Sequence, residues 1–169
     1  PLRIPVSSFI PGKSQRRLIR QNSDIEVIFS GELKNPDLIY SIYEEHSLNR
    51  FHRKVTREEF EASLCTQSCP TLYSLYYLKK ELVGIGFIDC SSDALSSVYF
   101  VYKSGYSERA LGNFSIIHEI RYALEIGKKY YYLGYYIEKC SRMVYKSRFY
   151  SYEILDWNTK QWIPVSKKR

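Results

Sequence analysis

The stretch YYYLGYYIEKCSRMVYKSRF, Tyr130 to Phe149, decides how the rest of the chain is read. Five tyrosines stand in its first seven residues, and Lys139, Arg142, Lys146 and Arg148 follow. It is either a platform of rings that stacks nucleic-acid bases or a buried strand rich in tyrosine. A platform needs its rings on one face, and alternate residues of a strand share a face. Tyr130, Tyr132 and Tyr135 do not keep one parity across Gly134. A central strand covered on both faces accounts for the run better. Tyr135 or Tyr136, at the end of that strand, is then free to stack on a base. The basic residues behind it suit a phosphate backbone.

Working outward, DIEVIFSG alternates apolar and polar residues and predicts a strand over Asp24–Ser30. Asn35 and Pro36 open a helix expected to run to about Arg53. Thr56 and Glu59 form a capping box, so a second helix follows. TLYSLYYLK, ELVGIGFIDC and LSSVYFVY are β-branched and aromatic and predict three consecutive strands. A helix is expected from Ser107, as N-cap, to Gly127. Its buried stripe is Leu111, Phe114, Ile117, Ile120 and Leu124. KYYYLGYYI is a further strand, Cys140–Ser147 a short helix, and YEILDW with QWIPV a last hairpin. The segment before Asp24 is punctuated by proline and rich in arginine, and reads as a basic arm over 1–23 leading into one domain over 24–169. This succession is the element order of the GCN5-related N-acyltransferase (GNAT) fold: an α+β protein, with a central mixed sheet flanked by helices.

The totals agree with one globular domain. The chain has 169 residues, 44% hydrophobic and 16% aromatic, a net charge of +7 and a pI near 9.2. Such a charge favours an anionic partner. No apolar run approaches the roughly 18 residues of a membrane span, so no membrane partner is expected. No signal peptide is evident. The chain opens at Pro1, which suggests a fragment or a processed chain. Cys65, Cys69, Cys90 and Cys140 lack the paired spacing of a zinc site, and His46, His52 and His118 do not stand beside them at ligand spacing. They are read as reduced cytosolic thiols, with no metal expected.

Acetyltransferases of the GNAT fold hold coenzyme A on backbone amides at a helix start of the form [Q/R]-x-x-G-x-[G/A]. The matching place reads RALGNF, Arg109–Phe114. The ring of Phe114 is expected to fill the space that the phosphates need, which argues against coenzyme A.

Taken together, FIPGKSQRR, LVGIGFIDCSSDALSSVYFVY, ALGNFSIIHEIRYALEIG and YYYLGYYIEKCSRMVYKSRF resemble the C-terminal part of aminoacyl-tRNA–protein transferases, the eukaryotic arginyl-transferases and bacterial leucyl-transferases. The resemblance spans nearly the whole chain, with the motifs in order. It implies a cytoplasmic enzyme that moves Arg or Leu from charged tRNA to proteins with an N-terminal Asp or Glu. The product is a destabilising N-terminus for the N-degron pathway. Aminoacyl-tRNA is the co-substrate and no other cofactor is implied. Phe9, Ser14, Gln15, Arg16 and Arg17 match the arm motif. Asp89 and Ser96 to Tyr99 match the central strands, and Leu111, Gly112 and Ser115 the helix start. Tyr132, Gly134, Tyr135, Met143, Tyr145, Lys146 and Phe149 match the opening stretch. The chain departs from the family at Lys103-Ser104 and Tyr150-Ser151. The family's cysteine-containing N-terminal region has no counterpart here, so the resemblance implies that transfer needs that region restored.

An aminoacyl ester is already activated, and roughly a tenth of α-amines are neutral at pH 7. Positioning, a cationic pocket for the acceptor carboxylate and donors for the oxyanion are therefore the main needs. The candidates are Asp89, Ser97 and Tyr99 for catalysis. Ser97 and Tyr99 are expected on one strand face. Arg16 and Arg17 are candidates for the acceptor carboxylate, since guanidinium groups bind it bidentately. Arg142, Lys146 and Tyr135 are candidates for tRNA. Two other readings stay open: an acyl-CoA N-acetyltransferase on the same fold, and a non-catalytic tRNA-binding module.

Overall fold

The computed structural model describes residues 1–165. Its centre is an eight-stranded mixed sheet in the order β2-β3-β4-β5-β6-β1-β7-β8. The strands are β1 (Leu2–Pro5), β2 (Ile25–Ser30), β3 (Thr71–Leu78), β4 (Glu81–Cys90), β5 (Ala94–Tyr102), β6 (Tyr130–Gly134), β7 (Tyr152–Leu155) and β8 (Trp162–Val165). The helices are α1 (Lys13–Gln21), α2 (Pro36–Phe51), α3 (Arg57–Phe60) and α4 (Leu111–Glu125). All neighbours pair antiparallel except β5 with β6, which run parallel. A parallel neighbour needs a crossover, and α4 supplies it.

Each face of the sheet buries one helical layer. On one face Ile116, Ile117, Ile120 and Ala123 of α4 pack on Ile88, Leu95, Tyr131 and Leu133. Phe114 and Leu111 continue that layer against Tyr76 and Val83. On the other face Ile39, Ile42 and Tyr43 of α2, with Phe60 of α3, cover Tyr73, Ile85, Phe87 and Val101. The expected α+β architecture and the element order from β2 through β6 are therefore present, and the capping box of Thr56 and Glu59 forms.

The structure differs from the sequence reading at several places. Residues 1–23, read as an arm, contain β1 and α1. Leu2 and Ile4 are fully buried because β1 lies between β6 and β7. Arg3 points to the opposite face, where its guanidinium is clasped by the rings of Tyr130 and Trp162 at 3.8 and 3.9 Å. It also donates to Glu153 at 2.6 Å.

Asn35 takes a left-handed conformation and makes no side-chain cap. Ser107 does not cap α4. A 3₁₀ segment spans Ser104–Arg109, Ala110 turns left-handed at φ 50°, and α4 begins at Leu111. Leu124 is 52% exposed, and Ala123 takes its place against the sheet. The strand expected through Ile137 stops at Gly134, whose φ of +76° turns the chain away. Only a 3₁₀ turn, Val144–Arg148, stands where a short helix was expected.

The tyrosine run resolves as a covered strand. Tyr131 and Leu133 are buried beneath α4, whereas Tyr130 and Tyr132 lie on the other face beside Arg3. Tyr135, beyond the strand, is 66% exposed.

Candidate active site

The parallel ladder between β5 and β6 is short. It joins Ala94–Ser96 to Tyr130–Tyr132 and ends there. Beyond it the two strands part. A β-bulge between Phe87/Ile88 of β4 and Ser97/Tyr99 of β5 leaves Val98 as the extra residue. A bulge bends its strand and steepens its twist. The edge of β5 from Ser97 onward thus has no partner on the β6 side, and its peptide groups border a cleft of about 530 Å³.

The bulge also reverses side-chain parity. Ser97 lies under α4, opposite Ile88 and beside Tyr131. Tyr99 lies under α2, edge-on to Tyr43. The expectation that both hydroxyls share a face is therefore corrected: one inserted residue shifts alternation by one. Both still border the cleft, because the cleft opens where the strand bends.

Three walls complete it. The start of α4 contributes Gly112, Asn113 and Ser115. The segment after β6 contributes Arg142, Tyr145 and Lys146, and α2 contributes His46 and Arg50, one turn apart. Lys146 Nζ donates to the carbonyls of Leu133 and Tyr135 at 2.6 and 2.8 Å. An ammonium has three donors, so one remains for the cleft. Burial holds its pKa below the ordinary value. His46 Nδ1 lies 3.2 Å from the Tyr102 carbonyl, and burial lowers its pKa as well. No Asp or Glu lines the cleft, and among the described residues Arg50, Arg142 and Lys146 have no carboxylate within 4.0 Å. The cleft is cationic by construction.

Phe114 does not occupy this space. Its ring is 1% exposed, packed against Tyr76 and His118 in the core. The sequence argument that it blocks a phosphate at the helix start is therefore corrected. Position 114 lies on the inner side of the first turn of α4, facing the sheet.

The other candidates lie apart from the cleft. Asp89, at the C-terminal end of β4, pairs with Ser96 one residue before Ser97 but does not line the cleft; it stands beside the Cys69 thiol, whose pKa it raises. Arg17 lines a second cavity of about 660 Å³ with Lys13, Arg20 and Arg148 at the start of α1. Arg16 points away from it and donates to the Pro11 carbonyl at 2.6 Å. Both cavities draw on the turn Val144–Arg148, which lends Lys146 to the cleft and Arg148 to the second cavity. His46 and Arg50 were not singled out in the sequence. Their four-residue spacing on α2 was a usable signal only once the partner face of that helix was known. Among the described residues no group of three or more His, Cys, Asp or Glu is placed to hold a metal ion. No helix among them is long and apolar enough to cross a membrane.

Comparison with known proteins places this geometry in context. FemX resembles the chain at a TM-score of 0.61 and 8% identity, over 88% of this chain and 57% of that one. An acetyltransferase of the GNAT family from Staphylococcus aureus Mu50 aligns at a TM-score of 0.56 and 16% identity, over 77% and 85%. At these identities the likeness establishes the fold, which is GNAT-like. Sequence relatives are nearer. An aspartate/glutamate leucyltransferase from Pseudoalteromonas atlantica is 35% identical, covering 99% of this chain and 72% of its own length. A protein of the same name from Aeromonas hydrophila is 31% identical, over 91% and 66%. The chain thus spans about two thirds to three quarters of these relatives. The family model for the C terminus of arginine-tRNA-protein transferase matches residues 38–156. That match takes in α2, β3 to β6, α4 and the Lys146 turn, every wall of the cleft, and the chain belongs to the aminoacyl-tRNA–protein transferase family.

Proposed function

We propose that the chain carries the transfer site of an aminoacyl-tRNA–protein transferase, which moves leucine or arginine from charged tRNA to the α-amine of proteins beginning with Asp or Glu. The observation that carries this reading is the cleft where β5 and β6 part, lined by cations and free of carboxylates. Both reactants are anionic where they must be held. The names of the relatives favour leucine as donor. Charged tRNA is abundant in the cytoplasm, which supports a cytoplasmic enzyme. The product is a substrate for the N-degron pathway.

In this reading Arg142 and Lys146 hold the terminal phosphates of the tRNA, and the exposed ring of Tyr135 stacks on the aminoacylated adenosine. The ester carbonyl lies along the free edge of β5. The acceptor amine attacks that carbonyl, a C–N bond forms and the C–O bond to the ribose breaks. The amine's proton passes finally to the ribose oxygen. Backbone N–H groups of β5 stabilise the oxyanion. Tyr99 borders the same space from the α2 side. Arg17, with Arg20 and Arg148, takes the acceptor's side-chain carboxylate in the adjoining cavity, and Arg16 supports the loop at Pro11. Asp89, beside Cys69 at the C-terminal end of β4, does not line the cleft and takes no direct part. No cofactor besides the charged tRNA is needed.

The test offers leucyl-tRNA and arginyl-tRNA separately, with peptides beginning with Asp, Glu or Ala, to the full protein that carries this chain. Transfer to Asp and Glu peptides alone is expected. Consumption of acetyl-CoA with no use of charged tRNA would replace this reading by an acetyltransferase. Tight tRNA binding without transfer would replace it by a binding module.

A further inference from the structure

Directly beneath the cleft lies a carboxyl group for which the fold has made unusual provision. Glu119 of α4 is 1% exposed. Its Oε1 accepts from the Ser74 hydroxyl at 2.8 Å, and its Oε2 accepts from the Tyr131 hydroxyl. The phenol oxygen of Tyr131 in turn neighbours the hydroxyl of Ser97, which borders the cleft. Room for the carboxyl comes from Gly86. A Cβ there would stand 2.6 Å from Oε1 and collide with the Ser74 hydroxyl. A purely apolar core would need neither this glycine nor these hydroxyls.

We propose that Tyr131 and Glu119 are positioning residues of the transfer reaction, acting through Ser97 to draw a proton from the acceptor's attacking amine into the buried carboxyl. The inference rests on the transferase reading. Each step of the relay has its donor. The amine N–H gives its proton to Ser97 Oγ, the Ser97 proton moves to Tyr131 Oη, and the Tyr131 proton moves to Glu119 Oε2. One proton leaves the amine as its C–N bond forms, and one arrives on Glu119. When the C–O bond breaks, the same chain run backwards delivers that proton to the ribose oxygen, so the cycle closes with no external acid or base.

The surroundings suit a group that changes its protonation state at neutral pH. Ser74 and Tyr76 face Glu119 from β3, Tyr131 from β6 and Gly86 from β4; its titratable neighbour on α4, His118, is held neutral, at about 4, by burial and by Arg121. No cation faces the carboxyl, so burial pushes it up to about 7, against the hydrogen bonds from Tyr131 and Ser74. That lies within roughly one unit of an α-amine, the range in which a proton acceptor is both ionised and basic enough to act.

The experiment measures single-turnover transfer from charged tRNA to a saturating Asp-peptide between pH 6 and 9, for wild type, Tyr131→Phe, Glu119→Gln and Ser97→Ala. The acceptor amine must be neutral with or without the relay, so the advantage of the relay follows the ionised fraction of Glu119, which rises through about pH 7. The variants should be slower by about a hundredfold at pH 8.5. The deficit should narrow by about tenfold at pH 6, where roughly nine-tenths of Glu119 is protonated and cannot accept the proton. A structural defect would slow the reaction by one factor at every pH, and that result, or wild-type rates in Ser97→Ala and Tyr131→Phe, overturns the proposal. Ser97→Ala changes the cleft wall alone and keeps the test decisive if a core variant unfolds. Wild-type transfer with a pH-flat deficit sinks only the relay, whereas no transfer by wild type sinks the transferase reading with it.

Discussion

Replacing Glu119 by Gln should change the stability of the fold in a pH-dependent way, and the size follows from the site. The carboxyl rises from an ordinary 4.5 to about 7 in the folded chain, chiefly because burial disfavours its charge. Below about pH 4.5 it is protonated in folded and unfolded chains alike, and ionisation costs nothing. Between 4.5 and 7 the unfolded chain releases the proton first, so folding stability falls as pH rises. Above 7 the cost is complete. At about 1.36 kcal/mol per pKa unit, it amounts to about 3 kcal/mol. A glutamine is nearly isosteric, keeps one acceptor oxygen and one donor for the two hydroxyls, and never ionises. Glu119→Gln should therefore gain about 2–3 kcal/mol over wild type between pH 5 and pH 8.5. In melting temperature this is about 4–12 °C at this chain length. Urea unfolding of both proteins at the two pH values measures it, and groups titrating elsewhere cancel in the difference. A difference that does not change with pH would refute the reasoning, because it would mean that Glu119 ionises in the fold as it does in water.

Gly86→Ala should destabilise the fold by about 1–3 kcal/mol, seen as a lower urea midpoint, because the added methyl meets the Glu119 carboxyl and the Ser74 hydroxyl. Arg142→Ala and Arg50→Ala, which remove cleft cations, should each weaken tRNA binding and lower the slope of log K against log salt by about 1 in filter binding. Arg17→Ala should raise the acceptor KM by about ten- to a hundredfold with little change in tRNA affinity; loss of tRNA affinity with an unchanged KM would reassign the second cavity to phosphate. Asp89→Asn should speed alkylation of Cys69 at pH 8, since Asp89 now raises that thiol's pKa.

The elements legible in the sequence were those whose pattern is local. β2 to β5, α2 and α3 show periodicity or a capping box within a few residues of each other. What was missed depends on partners distant in the chain. β1 is four residues long and ends at Pro5. Leu2, Ile4 and Val6 do alternate, but only pairing with β6, some 130 residues away, turns that alternation into a strand. The bulge at Val98 is invisible in LSSVYFVY because nothing in that run marks the extra residue, so Ser97 and Tyr99 were put on one face. Phe114 was judged by a loop pattern, without the helix phase that directs its ring inward. For the site, Ser97, Tyr99, Arg142 and Lys146 were named from motifs and do border one cleft. His46 and Arg50 reach it only because α2 crosses the bend of β5. Glu119 has no signal in the sequence, since its burial is set by the absent side chain of Gly86.

The central claim is that the cleft between β5 and β6 transfers an amino acid from tRNA. Intact-mass measurement of an Asp-peptide after incubation with charged tRNA tests it most directly, with wild type and an Arg142→Ala/Lys146→Met double variant side by side. The account predicts that wild type adds one leucine or arginine residue to the peptide's α-amine and leaves an Ala-peptide unchanged, and that the double variant, still folded, adds none in the same time. Equal modification by the double variant, or an acetyl group on the peptide in place of an amino acid, would contradict it.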